Sequence, residues 1–382
     1  MSEAIGFTLL GGSLNRLGRR FGLPGDGSNA IAVGAVLAGS LWLVLMALLI
    51  AEGGVGRIFS LSILGAHVRL LLAIPLFFIC ESLAAPRMAK YARDLIREKA
   101  EDEAASTVLR SDALRIVRWN DSWLGDLLCV LGAALLSLSA STLHLRGMTT
   151  NYDPAHLDPG LVLTGYWYYG VCLPIFRFLL MRWLLQLGLW TYFLWRVLRH
   201  PLRLIPTHPD TAGGLGYVED VHLCLLPFVL GISMVEAAGL AEELSAGATT
   251  FETVYLTTAI MIALEAVLVL GPLLLFAPKL WACRLKGLDE YGRLASVYVA
   301  NFDTKWLRAP GKEELLGTPD LQSLADLANS FNVVRNMRSV PISIDLVVRI
   351  IVAGALPMLP LALLNYPIAE LARALLERLA GL

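Results

Sequence analysis

The sequence predicts an all-α fold: a polytopic transmembrane helical bundle of about seven spans, N-terminus inside and C-terminus outside, with cytoplasmic helical extensions. Three observations predict it. The 382 residues are 56% hydrophobic and only 16% charged, with a mean hydropathy of +0.64. Soluble domains carry about 25% charged residues. The charges are clustered, leaving uncharged or nearly uncharged runs of about 20 residues, the length that crosses about 30 Å of hydrocarbon. Lysine and arginine alternate between the two sides. Of 31 basic residues, 23 fall in the expected cytoplasmic segments, 4 in the external ones, and 4 (Arg69, Arg177, Arg182 and Arg349) within spans. That bias keeps basic loops in the cytoplasm.

The elements follow in order. A cytoplasmic N-terminal segment, 1–30, lacks the short apolar core and cleavage site of a signal peptide. Spans are expected at 31–51, 67–85, 121–142, 161–181, 217–240, 252–277 and 341–363, within a bundle covering 31–363. Cytoplasmic helical segments are expected at 86–120, 182–216 and 279–340. In the first, YARDLIREKAEDEA sets acids and bases at helical spacing, which reads as a solvated helix continuing the second span. From Leu161 the chain stays helix-compatible to His200, where Pro201 stops it. That is longer than one crossing. The Trp-rich part beyond Arg177 and Arg182 is expected to bend into the cytoplasmic interface or project from it. In the third segment RAPGKEELLGTPD breaks the helix. Thr318 then offers an N-cap and Pro319 a first helical position. Leu321, Leu324, Leu327, Ala328 and Phe331 share one face of an amphipathic helix expected to pack under the bundle. The C-terminal segment 364–382 is amphipathic and suits the outer interface. The chain shows no long internal repeat, which argues against an inverted-repeat transporter.

A net charge of −1 provides no basic field for nucleic acid. The expected partners are the lipid bilayer, further copies of the chain and a cytoplasmic protein. The five cysteines are far apart and mostly within apolar runs, where they read as small buried hydrophobes.

Ionisable residues inside spans are the first functional candidates, because a charge in hydrocarbon is costly. Glu265 lies near the middle of the sixth span and Arg349 is within side-chain reach in the seventh. They read as an ion pair, serving either as a gating or coupling element or as a register-fixing structural pair. Glu81, Arg69 and Arg177 join them as permeation or coupling candidates, with snorkelling as the alternative for the arginines. The second candidate is the loop LRLIPTHPDTAGGLGYVEDVHL, with Thr207, His208, Asp210, Gly213, Gly214, Asp220 and His222. Its glycines can present backbone N–H groups to an ion or anion. His208, Asp210 and His222 are candidate metal ligands, although no zinc signature or P-loop ending is present. Turn chemistry is the competing explanation. It also suffices for Asp153, His156 and Asp158 in the outer loop.

Three stretches, VRLLLAIPLFFICE, LRLIPTHPDTAGGLGY and DLQSLADLANSFNVVRNMR, are spread over residues 67–340. Together the chain resembles a family of bacterial inner-membrane proteins of unknown activity, whose most specific mark is the PTHPDxAGGLG element, with His208 to Leu215 at its heart. The resemblance implies a bacterial inner membrane and a common fold. It implies no activity, cofactor or catalytic residue. Three function classes stand at this point. They are an ion channel or small-solute transporter, a non-transporting sensor or scaffold, and a membrane-embedded metal- or phosphate-dependent enzyme.

Overall fold

The computed structural model describes residues 30–99, 103–143, 162–308 and 317–361, all helix and connections, with no strand among them. The expected N-terminal segment, the outer loop with Asp153, and the amphipathic segment 364–382 lie outside the described residues. Helix α1 spans Ala30–Ala51. Helix α2 (Ile74–Lys99) is entered from Leu64–His67 through a π-helical turn at Val68–Ala73, and it runs on through Pro86. Helix α3 (Glu103–Asn120) and helix α4 (Trp123–Leu143) follow. Helix α5 (Leu173–Leu198) is entered from Val162–Trp167 through a second π-helical turn, Tyr168–Cys172. The short α6 (Val218–Leu223) leads into α7 (Leu226–Ser245). Then come α8 (Phe251–Leu274), α9 (Ala277–Phe302), α10 (Pro319–Arg335) and α11 (Ile344–Ala355).

Six helical stretches are long and apolar enough to cross a membrane: Ala30–Ala51, Leu61–Glu98, Val162–Leu198, Val218–Ser245, Phe251–Leu274 and Ile344–Leu361. The chain is a multi-pass membrane protein. The third expected span is α4, which is apolar over the shorter stretch Trp123–Ser137. Leu256, Ile260, Leu264 and Val267 on α8 and Val348, Ile351 and Val352 on α11 are exposed. Such apolar faces need hydrocarbon around them. Helix α7 is the centre. It packs on α2, α8, α11 and the first π-turn, and most of its length is buried.

Three expectations about the extensions change. The continuation of α5 stays in one helical stretch with the crossing. Val162–Leu198 is one helical stretch of 37 residues, about 55 Å at 1.5 Å per residue. Trp183, Trp190 and Phe193 in its far half are fully buried and form a core, whereas Trp195 is exposed. In the segment 86–120 the second span continues as a helix to Lys99, as expected, but the following helix α3 is not solvated all round. Leu109, Ala113 and Ile116 of α3 are buried, and α3 packs on α5, where Asp112 accepts from Arg196 Nη2 at 2.7 Å. Helix α10 does not tuck under the bundle. It pairs with α9, where Tyr298 donates to the Asp320 carbonyl at 2.9 Å. Its expected apolar face is only half-buried there, and Thr318 occupies the cap position without a side-chain hydrogen bond.

Close approach of α1 to α2 depends on Gly34. A Cβ there would lie 2.6 Å from Phe78, whereas one at Gly39 meets nothing within 4 Å. Gly34→Ala is expected to lower thermal stability in detergent by about 1–3 kcal/mol through overpacking. Gly39→Ala is expected to be neutral or stabilising by up to about 1 kcal/mol.

Candidate functional site

The loop expected to present N–H groups to a ligand has already filled them. Gly213 and Gly214 take left-handed conformations (φ 66° and 87°), as does Thr211 (φ 55°). This curls the chain around Asp210. Its carboxylate accepts from the N–H groups of Ala212 (2.9 Å), Gly214 (3.1 Å) and Gly216 (2.8 Å), and His208 Nδ1 lies 2.8 Å away. Burial alone would raise the Asp210 pKa. The three backbone donors and His208 outweigh it and hold the carboxyl below its ordinary value. Arg338 ties the curl to the last span. Its guanidinium reaches the Asp210 carbonyl, the Thr211 hydroxyl and Glu219 at 3.1–3.2 Å, and its N–H donates to the Thr211 carbonyl at 2.7 Å. Glu219 in turn accepts from Ser343, the N-cap of α11.

His222 does not join His208 and Asp210. It is fully buried in the bundle, accepting from Trp190 Nε1 at 3.2 Å and donating from Nδ1 to the Val269 carbonyl at 2.6 Å. Among the described residues no three His, Cys, Asp or Glu side chains converge to hold a metal. Thr207 is a half-buried loop residue and Asp220 lines a separate cleft. The loop is a corner, and its own aspartate is the anion it holds.

The expected ion pair between Glu265 and Arg349 is not formed. Leu346, Ile350 and Gly354 occupy the inward face of α11. Arg349 lies off that face, more than half exposed, and pairs with Asp345 at 2.7 Å. Glu265 is buried, and both its oxygens accept from Ser233 of α7, at 2.8 and 3.0 Å. Gly354 makes room for it, since a Cβ there would lie 3.0 Å from Glu265 Oε2.

Ser233 begins a polar row on α7. Glu236 and Glu243 lie three and ten residues on, which keeps all three on one side of the helix. Both glutamates are buried. Glu236 is within electrostatic reach of Glu265, Glu243 and Arg69, and Arg69 also faces Glu242. Arg69 is 2% exposed and donates to the Tyr168 hydroxyl at 2.9 Å. Glu242 accepts from the Gly65 N–H at 2.6 Å. Gly65 leaves the space for this, because a Cβ there would meet Arg69 Nη1 at 2.6 Å and Glu242 Oε1 at 2.9 Å. Arg69 sits in the π-helical turn Val68–Ala73 and Tyr168 in the π-helical turn Tyr168–Cys172. Such turns recur at functional sites, because they push one residue out of helical register.

Arg177 stands at the edge of this group, donating to Ser137 at 2.6 Å and lying within electrostatic reach of Arg69. Glu81 is buried on α2, next to Cys80, which donates to the Cys224 carbonyl. Sequence reading missed Ser233, Glu236, Glu242, Glu243 and Tyr168. The fifth span was ended at 240, which placed Glu242 and Glu243 in an outer loop. The spacing from Ser233 to Glu236 to Glu243 was the available signal.

Compared with known proteins, the chain matches no family model, no curated protein and no solved structure.

Asp210→Asn is expected to destabilise the protein by about 2 kcal/mol at neutral pH, from the loss of charge-assisted bonds to the corner. The wild-type advantage is fully present above the unfolded carboxyl pKa of about 3.9. It is lost as pH falls through the lowered folded value. Thermal denaturation in detergent from pH 7 to pH 3 should show the gap between the two proteins closing at the acid end.

Proposed function

We propose that the protein is a channel or transporter for a small cation, with the row Glu265–Ser233–Glu236–Glu243 and its Arg69–Tyr168 neighbour as the coupling site. The observation that carries this reading is Glu236. It is 5% exposed on the most buried helix of the bundle. It takes no hydrogen bond from any described residue, and its electrostatic neighbours are two further carboxylates and one guanidinium. Glu236 lies within electrostatic reach of Glu265 and Glu243, and Arg69 is the cation that reaches it. A buried carboxylate without a hydrogen-bond donor binds a proton or a cation in preference to standing bare. Ser233 bridges the gap to Glu265 with a rotatable hydroxyl, which can donate to a carboxylate or turn its oxygen to a cation.

The distribution of basic residues supports a cytoplasmic N-terminus. The PTHPDxAGGLG resemblance supports a bacterial inner membrane as its location. Glu265 and Arg69 keep their place in the path, whereas Arg349 leaves it. The corner around Asp210 then serves as a rigid cytoplasmic footing.

The test is flux in proteoliposomes holding the purified protein, surveyed over protons, sodium and potassium. Glu236→Gln is expected to lower the flux at least about tenfold, equivalent to about 1.4 kcal/mol of lost coupling. Glu265→Gln should act in the same direction, and Arg349→Met should leave flux unchanged. Flux of all three cations that persists in Glu236→Gln would remove the row from the path.

A further inference from the structure

A cleft of about 450 Å³ opens between the charged end of α2 and the loop leading into α6. That volume is in the range of small-molecule sites. It is separate from the carboxylate row of α7. One wall is a single face of α2, where Arg87, Lys90, Asp94 and Glu98 follow one another at helical spacing. The two cations come first, next to the apolar half of the helix, and the two carboxylates lie farther out. Asp220 and Tyr217 line the opposite wall. Lys90, Asp94, Glu98 and Asp220 form no ion pair with any described residue. Arg87 directs one N–H to the Cys224 sulfur at 2.7 Å, which leaves its other donors to face the cleft.

Tyr91 lies between the cations and the carboxylates and also lines the cleft. It is 7% exposed, and its buried hydroxyl takes part in no hydrogen bond. A buried hydroxyl left in that state costs about 1–3 kcal/mol. The hydroxyl has almost no accessible surface, so it stands behind the cleft wall rather than in the cleft.

The wall is thus a dipole. Lys90 and Asp94 stand one helical turn apart, about 6 Å along the axis, with Arg87 and Glu98 about one turn outside them on either side. A simple anion would meet the carboxylates, and a simple cation would meet Arg87 and Lys90. The fitting ligand carries both charges at that separation. Paired Arg and Lys suit a phosphate, and the carboxylates suit an ammonium that still has N–H donors. The cations begin where the apolar part of α2 ends, the level at which lipid headgroups lie. We infer that this cleft binds a phosphoethanolamine group, its phosphate on Arg87 and Lys90, its ammonium on Asp94, with Glu98 one turn farther out. The group is supplied either as the headgroup of phosphatidylethanolamine or as free phosphoethanolamine.

Native mass spectrometry of the full chain in detergent tests this with an equimolar mixture of three lipids. Phosphatidylethanolamine is expected to be retained about tenfold over phosphatidylcholine, which lacks ammonium N–H donors, and over phosphatidylglycerol, which lacks the ammonium. Asp94→Asn with Glu98→Gln should bring phosphatidylethanolamine down to the level of phosphatidylglycerol. Lys90→Gln should weaken both. The preference is a ratio measured within one sample, so it does not depend on yield. If the double variant fails to fold, Asp94→Asn alone gives the same comparison. Calorimetric titration with free phosphoethanolamine separates the sources. Binding of the free compound without selective lipid retention assigns the soluble source, and selective lipid retention without it assigns the membrane. Selective retention together with binding of the free compound shows that the headgroup suffices. Equal retention of the lipids with no binding of the free compound overturns the inference, as does a preference untouched by the α2 variants.

Discussion

A carboxylate inside a lipid-embedded bundle needs a proton, a cation or a hydrogen-bond donor, because hydrocarbon offers no water to solvate it. Helix α7 buries Glu236 and Glu243 and partly buries Glu242, and much of the surrounding structure answers that demand. Ser233 and Glu265 approach from one end of the row, Arg69 and Tyr168 from the other. Glycine clears the space at both ends, Gly354 against Glu265 and Gly65 against Arg69 and Glu242. The two π-turns that carry Arg69 and Tyr168 lie on different helices and meet at this point.

At the opposite end of the bundle the polar chemistry is closed on itself. Asp210 takes up the backbone donors of its own loop, and Arg338 and Glu219 link that loop to Ser343 at the start of α11. The left-handed Thr211 is strained for a residue with a Cβ, and Arg338 holds it at both the backbone and the hydroxyl. Behind the loop, Trp190 packs against Phe193 and Tyr91 and donates to His222. The far half of α5 therefore has a core of its own. The Asp210 corner, with its donors and acceptors paired, contrasts with Glu236 on α7, which is buried and accepts from no described donor.

Much of the fold was legible. Apolar runs of membrane length located α1, α2, α5, α7, α8 and α11, because hydrocarbon imposes length and composition on any helix that crosses it. The glycines of the corner were read as backbone free to present its N–H groups, and Gly213 and Gly214 take left-handed conformations. The candidate site was legible only at its edges. Glu265 and Arg69 stood out as charges within apolar runs. Glu236 lay inside the expected fifth span and was passed over, whereas Glu242 and Glu243 fell beyond its expected end at 240, since the acidic end of α7 looks like the start of a polar loop until neighbouring helices cover it.

The sequence by itself determined that this chain is a multi-pass helical membrane protein and which residues within its spans are ionisable. Composition and hydropathy are local, additive properties, and the membrane reads them directly. Only the tertiary structure decided which charges meet. Glu265 turned to Ser233 rather than Arg349, because Arg349 lies off the inward face of α11. His222 left the loop for the core, and Asp210 filled the cradle that had looked ready for a ligand. Pairing depends on helix rotation and close approach, which are set by packing between segments far apart in the chain.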